Sequence, residues 1–120
     1  SMSRFPPFNA LRWFYVHHNQ LEGLDLSALS SCASLEYLVL SNNRLRQLDL
    51  TPLIKCSEMR YLLLNDNELK MLDVSPLFHL YRLEAFSVDD ETQLVAESRL
   101  RCIQDPPLPL ASRLARIEWQ

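Results

Sequence analysis

The sequence repeats itself with a period of 24 residues, and no other feature limits the fold as strongly. Three segments, 11–34, 35–58 and 59–82, align column by column, and a fourth, 83–94, keeps the pattern for half a period. A fixed period of this length is typical of repeat architectures, in which each unit buries its apolar face only by stacking on its neighbours. We therefore expect one continuous array of stacked coils.

Each repeat contains an alternating segment that predicts a short β-strand. In residues 37–41, the side chains of Leu38 and Leu40 point one way and the other three point the opposite way. A strand with one buried face requires this alternation. Stacked in register at ~4.8 Å spacing, such strands form a parallel sheet over a continuous apolar interior.

An asparagine follows the strand in each of the first three repeats, at Asn19, Asn43 and Asn67. A side-chain amide at this place can bond backbone groups of adjacent coils that would otherwise be buried without partners. Glu91 occupies the column in the fourth repeat. The asparagine ladder is therefore predicted to stop there.

The second half of each repeat predicts a short helix or 3₁₀ turn on the convex side. An apolar–acidic–apolar triplet is followed there by serine or threonine and then, in the second and third repeats, by proline: Thr51-Pro52 and Ser75-Pro76. Serine and threonine are favoured N-caps, and proline is favoured at the first helical position. Thr51 and Ser75 are thus interpreted as capping residues.

Cysteine placement indicates small buried side chains. Cys32 and Cys56 share one column, and the third repeat has Leu80 there. A buried cysteine behaves as a small apolar residue, with a disulfide or a reactive thiol as the alternatives. An odd number of cysteines without framework spacing favours a reducing compartment, so the expected location is intracellular, either cytoplasmic or nuclear.

The repeats resemble the leucine-rich repeat family, whose signature is L-x-x-L-x-L-x-x-N-x-L. The second repeat carries it at Leu35, Leu38, Leu40, Asn43 and Leu45. The third repeat carries it at Met59, Leu62, Leu64, Asn67 and Leu69, and the first at Leu11, Phe14, Val16, Asn19 and Leu21. The resemblance implies an α/β fold, a right-handed leucine-rich-repeat solenoid with a parallel sheet on the concave face and short helices or 3₁₀ turns on the convex face. It also implies that partners are often held on the concave sheet.

Three parts are expected along the chain. Residues 1–10 form an N-terminal flank that opens with Ser1-Met2, which resembles a tag-cleavage scar, and whose phenylalanines could cover the first coil. Residues 11–94 hold three full repeats and one partial repeat, and residues 95–120 form a C-terminal cap. Within the cap, apolar spacing predicts helices over 95–101 and 111–119. Trp119 is expected to pack, and a solvated face is expected for four arginines: Arg99, Arg101, Arg113 and Arg116.

Composition excludes several functional classes. The single glycine, Gly23, rules out glycine-rich phosphate loops, and the cysteines and histidines lack the spacing of a zinc site. A net charge of −3 argues against general binding to nucleic acid. No apolar run approaches the ~20 residues that cross a bilayer. We therefore expect no cofactor, no metal, no nucleic-acid partner and no membrane partner.

Function is expected on the outward-facing strand positions, because the inward positions belong to the core. These positions form three columns: Trp13, Tyr37, Tyr61, Ala85; Tyr15, Val39, Leu63, Ser87; and His17, Ser41, Asn65, Asp89. Large amphipathic rings on an accessible sheet suit a protein or peptide partner. The predicted partner-binding residues are Trp13, Tyr15, His17, Tyr37, Val39, Ser41, Tyr61, Leu63, Asn65 and Asp89.

Other interpretations of these columns stay open at this stage. The rings could chiefly stabilise the sheet by stacking on each other. The face could also belong to a structural scaffold segment and dock on the rest of its own parent protein, as an intramolecular partner, or on a second copy in a homodimer. Base stacking would need flanking cations, which the three columns lack, and carbohydrate binding by the rings is likewise untested.

Catalysis is not expected. His17 and Ser41 lie on neighbouring strands of the third column, as an acyl-transfer site would require. However, no glycine turn is available to form an oxyanion hole, and Asp89 lies two strands beyond the serine.

Overall fold

The computed structural model describes residues 11–17 and 19–120, and the predicted role of Phe5 and Phe8 lies outside these residues. The described strands are β1 (Trp13–Tyr15), β2 (Tyr37–Val39), β3 (Tyr61–Leu63), β4 (Met71–Asp73), β5 (Ala85–Ser87), β6 (Gln93–Ala96) and β7 (Ile117–Trp119). The 3₁₀ helices are η1 (Leu26–Leu29), η2 (Thr51–Lys55), η3 (Ser75–His79), η4 (Ser98–Cys102) and η5 (Leu114–Arg116), and one turn of α-helix, α1, covers Leu108–Ala111.

The predicted parallel sheet is confirmed. It has the strand order β1-β2-β3-β5, and we call it the main sheet. Its strands pair in register at the repeat spacing, so that Tyr37 lies beside Trp13 on one side and Tyr61 on the other. Because the register equals the repeat period, every sequence column becomes a row of neighbouring side chains across the sheet.

A second sheet, which the sequence did not predict, closes the coils on another side. Its strand order is β4-β6-β7, and all pairs are parallel. Leu72 lies beside Leu94, and Leu94 lies beside Ile117. The fourth coil therefore continues past Leu94 through β6 and η4, and the boundary predicted between repeats and cap falls inside β6.

The two helices predicted after Leu94 are wrong. Gln93–Ala96 is a strand, Ser98–Cys102 is a 3₁₀ helix, and the second segment ends as the strand Ile117–Trp119. The physical reason is the sheet edge left by β4 and then by β6. The Val74 amide donates to the Val95 carbonyl, and the Gln120 amide donates to the Ala96 carbonyl, so strand pairing satisfies groups that a local helix would leave unpaired.

The core is one continuous cluster that runs through all four coils. Leu38 and Leu62, which point inward from neighbouring strands, have no exposed surface. Cys32 and Cys56 are likewise fully buried and carry free thiols, which confirms their interpretation as small core residues. Desolvation by burial, with a smaller contribution from Cys32, raises the pKa of the Cys56 thiol to about 11.

The asparagine ladder is confirmed at Asn43 and Asn67, and it stops where Glu91 was expected to end it. The prediction is wrong for Asn19, which is exposed and donates to the His17 carbonyl two residues away. The Asn67 amide nitrogen donates to the carbonyls of Leu40 and Leu64 at 3.0 and 2.9 Å, and its oxygen accepts from the Leu45 amide at 3.0 Å. Asn43 repeats these bonds one coil earlier. In the fourth coil, the buried Thr92 hydroxyl donates to the Leu69 carbonyl instead, at 2.7 Å.

The predicted serine and threonine caps are wrong, because the aspartate two residues earlier accepts the bond. The Asp49 carboxylate accepts from the Thr51 amide at 2.9 Å, and the Asp73 carboxylate accepts from the Ser75 amide at the same distance. Hydrogen bonds from Thr51 hold the pKa of Asp49 below its usual value. Ser75 is buried, and its hydroxyl accepts from the Glu97 amide.

The C-terminal segment packs against the last coil. Trp119 contacts the core and lies 5.9 Å from the Phe78 ring, which confirms that it packs. Arg99 and Arg101 are exposed as expected.

Arg113 and Arg116 correct the prediction of a solvated arginine face. The Arg116 guanidinium donates to the carbonyls of Asp89 and Thr92 at 3.0 and 2.9 Å. Arg113 donates to the Pro109 carbonyl and lies 5.3 Å from the centre of the Phe86 ring. These two side chains tie the end of the chain to the main sheet.

The main-chain envelope measures 41 × 27 × 21 Å. Among the described residues, no helix combines the length and the apolar character needed to cross a bilayer.

Candidate functional site

The first two outward columns form a continuous apolar surface on the main sheet. We call it the aromatic face; it consists of Trp13, Tyr15, Tyr37, Val39, Tyr61 and Leu63. Trp13 and Tyr15 are the most open members, with 57% and 55% of their surface exposed. The four side chains on β2 and β3 are half-buried. The structure therefore brings together all six apolar residues that the sequence proposed for partner binding.

The rings of the first column contact each other in two different ways. Tyr37 and Tyr61 stack, with ring centres 4.9 Å apart and planes inclined by 16°. Trp13 is tilted by 48° against Tyr37 at 6.4 Å. Stacked pairs of this kind contribute about 0.5–1.5 kcal/mol beyond their burial. Stabilisation of the sheet therefore explains part of the role of the Tyr37–Tyr61 pair. Trp13 and Tyr15, in contrast, keep more than half of their surface exposed.

The third column is polar and is largely engaged within the protein. Ser41 is buried, and its hydroxyl donates to the Asn65 side-chain oxygen at 2.9 Å. The Asp89 carboxylate accepts from the amides of Asp66 and Asn67 at 2.8 and 3.0 Å. His17 lies edge-on to the Tyr15 ring, with centroids 6.2 Å apart. The sequence placed these residues correctly along one edge of the sheet but did not anticipate the burial of Ser41.

A column of turn residues follows at the ends of the strands. Asn42 and Asp66 have positive φ angles of 61° and 60°. Asparagine and aspartate tolerate this left-handed conformation better than other side chains with a Cβ, which explains their presence in a chain with one glycine. The sequence analysis missed this role, although two such residues at one repeat position, three residues beyond the ends of β2 and β3, are a signal for it.

A ladder of alternating charges borders the opposite edge of the aromatic face. We call it the charge ladder; it consists of Arg12, Glu36, Arg60 and Glu84, one residue from each coil. Arg12 Nη2 lies 2.7 Å from Glu36 Oε2, and Arg60 Nη1 lies 3.7 Å from Glu36 Oε1. Arg60 Nε lies 2.5 Å from Glu84 Oε2. The sequence analysis missed this ladder, but opposite charges at 24-residue spacing in one column reveal it.

The two arginines of the charge ladder also lie over the aromatic rings. The Arg12 guanidinium carbon is 5.6 Å from the Trp13 ring centre. The Arg60 guanidinium carbon is 6.0 and 5.9 Å from the ring centres of Tyr37 and Tyr61. The hydrogen bond and charge of Glu84 raise the pKa of Arg60. The sequence analysis found no cations within the three columns, but two arginines do border the rings. Each of these arginines is paired with a glutamate.

Chemistry other than binding finds little support among these groups. No three metal-ligating side chains come together in the described part of the chain. The Ser41 hydroxyl donates to the amide oxygen of Asn65, which is not a base. The cleft beside the charge ladder is lined by charged residues that form further ion pairs, such as Arg82 with Glu58 at 3.3 Å.

Parallel strands in register, a continuous leucine core and an asparagine ladder define a repeat solenoid. A family model described as leucine rich repeat matches residues 9–69. Because this match spans half of the chain, the protein belongs to the leucine-rich repeat family. Comparison with curated proteins and with solved structures found no match. Domains of this family generally mediate protein–protein interactions and are typically non-catalytic.

Proposed function

We propose that this domain is a non-catalytic interaction module that binds a protein or peptide partner on the aromatic face, which we take to be the concave side of a right-handed solenoid. One observation carries the proposal: Trp13 and Tyr15, on one strand, are 57% and 55% exposed, although the chain has a large core in which to bury rings. Exposed tryptophan and tyrosine are the side chains most often responsible for interface energy, at about 2 kcal/mol or more each.

The other exposed apolar side chains support this choice because they are scattered over different elements. Among the described residues they are Ile54 on η2, Met71 on β4, Tyr81 in the turn after η3, Leu108 on α1 and Leu114 on η5. Single exposed apolar residues are normal on any protein surface, whereas a contiguous patch calls for an explanation.

The surroundings of the aromatic face fit the usual anatomy of an interface, with an apolar centre and a polar rim. The charge ladder forms one rim, and the column of Ser41, Asn65 and Asp89 forms the other, with His17 at its start. Trp13 and Tyr15 would anchor the partner, and Tyr37, Tyr61, Val39 and Leu63 would form the platform. Because Arg12 and Arg60 are paired with glutamates, the surface favours a protein over a polyanionic nucleic acid.

The experiment is affinity capture from cell extract, with mass-spectrometric identification, on three versions of the domain. The native domain is compared with the double variant Trp13→Ala, Tyr15→Ala. A matched control, Ile54→Ala with Met71→Ala, removes two side chains of similar exposure, 47% and 50%, from other surfaces. All three must give the same circular dichroism spectrum. We expect a partner that binds the native domain and the control and is lost by the aromatic variant.

Capture of the same proteins by all three versions would contradict the proposal. Docking on a second copy of the domain is tested separately by size-exclusion chromatography. If the native domain forms a dimer whose population rises with concentration, and the aromatic variant does not, the aromatic face serves self-association and not binding of a different protein. A monomer that captures a segment of its own parent chain would make the face a scaffold contact.

We also propose an intracellular location. All three cysteines, Cys32, Cys56 and Cys102, carry free thiols, and Cys102 is exposed. An exposed free thiol is compatible with a reducing compartment and is a liability outside it. Immunofluorescence of the endogenous protein tests this; secretion into the medium would contradict it.

A further inference from the structure

Across the strands, the spacing between neighbouring side chains of the aromatic face is close to the rise of one α-helical turn. Ring centres in the first column are 6.4 and 4.9 Å apart, and parallel strands lie ~4.8 Å apart. An α-helix rises ~5.4 Å per turn, so side chains one turn apart stay in step with successive strands to within about 2 Å over the sheet. Side chains on one face of an extended peptide are ~6.8 Å apart, which puts the third out of step by about one strand.

We propose that the aromatic face receives an amphipathic α-helix of its protein partner, lying across the strands with its apolar stripe on the rings and basic residues along one flank. This inference rests on the function proposed above. The main sheet has four strands, β1-β2-β3-β5, and three steps between them. A helix of roughly three turns spans this distance, with one side chain placed over each of the four strands at positions i, i+3 or i+4, i+7 and i+11.

The charges on the two rims of the aromatic face indicate which side chains the two flanks of the bound helix should carry. The charge ladder is closed on itself, because Glu36 pairs with both arginines and Glu84 pairs with Arg60. It therefore offers a partner no net charge. This rim accommodates neutral polar residues on one flank of the helix.

The opposite rim is acidic. Asp66 and Asp90 are exposed beyond the ends of β3 and β5, and the half-buried Asp89 accepts from the Asp66 amide. The Arg116 guanidinium donates to the main-chain carbonyls of Asp89 and Asp90, and Arg113 interacts electrostatically with Asp90. The Asn65 side-chain amide donates to the Asp66 carboxylate at 3.0 Å. Both aspartates are nevertheless exposed, and neither takes part in the ion pairs formed between the described residues. Lysine or arginine on the adjoining flank of the helix is the complementary charge, and such rim charges act mainly on the association rate and its salt dependence.

Selection of random peptides, each about 16 residues long or roughly four helical turns, tests the inference on the intact domain. The selected peptides are synthesised, and their affinities are measured by fluorescence anisotropy. We expect apolar residues at helical spacing, lysine or arginine on one flank, and at least tenfold weaker binding when a central residue of the peptide is changed to proline. The variant Asp66→Asn, Asp90→Asn should bind the same peptides three- to tenfold more weakly and with less dependence on salt, whereas the control Asp105→Asn should not differ from the native domain.

The outcomes separate this inference from the proposed function. Some selected peptides could need Trp13 and Tyr15 for binding and yet carry apolar residues at every second position, tolerate proline, or carry an acidic flank. Such peptides would overturn the inference of a bound helix but would leave the proposed binding face in place. Peptides that bind equally well to Trp13→Ala, Tyr15→Ala would overturn both. Failure to select any peptide would also count against both.

Discussion

The asparagine after each strand shows how single residues hold neighbouring coils together. Asn67 bonds carbonyls of two coils, at Leu40 and Leu64, and accepts from the Leu45 amide. These main-chain groups lie at a bend where no strand partner reaches them. A side chain with both donors and an acceptor is required, and leucine or alanine in its place would leave buried polar groups without partners.

Asn67→Ala should lower the free energy of unfolding by about 3 kcal/mol, because it leaves several buried main-chain groups unsatisfied. Urea denaturation followed by circular dichroism measures this. Asn19→Ala is the matched control, since Asn19 occupies the same column but is exposed and bonds the His17 carbonyl two residues away. We expect a change within about 0.5 kcal/mol for the control. Equal losses for both variants would show that the ladder bonds do not stabilise the fold.

The buried thiol of Cys56 predicts a dependence of stability on alkaline pH. Its pKa is raised from 9.0 to about 11 in the folded protein. A raised pKa in the folded state means that the stabilisation is fully present below pH 9 and is lost as the pH rises toward 11. Over this range the native domain should lose up to about 1.4 kcal/mol per pH unit more than Cys56→Ala, in urea titrations at each pH. Parallel curves for the two proteins would contradict the assignment.

Among the elements, the strands marked by a local sequence pattern could be predicted, whereas the strands that depend on pairing with distant residues could not. The repeat fixed β1, β2, β3 and β5, because alternation recurs at the same column. It failed for β6 and β7, where the same apolar spacing also fits a helix. The strand conformation of β6 is selected by pairing with the free edge of β4, and that of β7 by pairing with β6. Because β4 was itself not predicted and lies far away in the sequence, the residues of β6 and β7 carry no local signal for this pairing.

Arg116 predicts how firmly the C-terminal segment is held. Its guanidinium donates to main-chain carbonyls of Asp89 and Thr92 in the preceding coil. Arg116→Ala should therefore cost about 2 kcal/mol and accelerate amide hydrogen exchange in β7, since bonds to a charged donor are among the stronger ones. Arg99→Ala removes an exposed arginine whose carboxylate contact lies two residues away, and it should have almost no effect. Similar exchange rates in β7 for both variants would refute the role of Arg116.

At the scale of the whole molecule, the four coils and the C-terminal segment share one core. Trp119 lies against Phe78, so the last strand covers the interior of the third coil. A chain ended at Leu94 should therefore lose its cooperative urea transition, because the inner faces of β4 and η3 become open to water. A cooperative transition at the native midpoint would show that residues 11–94 fold by themselves.

The candidate site could be predicted only in part. The repeat period alone placed Trp13, Tyr37 and Tyr61 side by side, because the strands pair at that period. It could not reveal that Ser41 is buried beneath Asn65, since the strands end there and the alternation of faces ends with them. The charge ladder lies just before the strands, where alternation had not begun, and so no face could be assigned to it.

Binding of a partner on the aromatic face can be tested by hydroxyl-radical footprinting of the domain, both free and in complex with the captured partner. Because Trp13 and Tyr15 are exposed, they should oxidise readily in the free domain, while the partly covered Tyr37 and Tyr61 oxidise more slowly. We expect the partner to protect Trp13 and Tyr15 strongly and to leave the exposed Tyr81 unchanged. Protection at Tyr81, with Trp13 and Tyr15 still reactive, would contradict binding on the aromatic face.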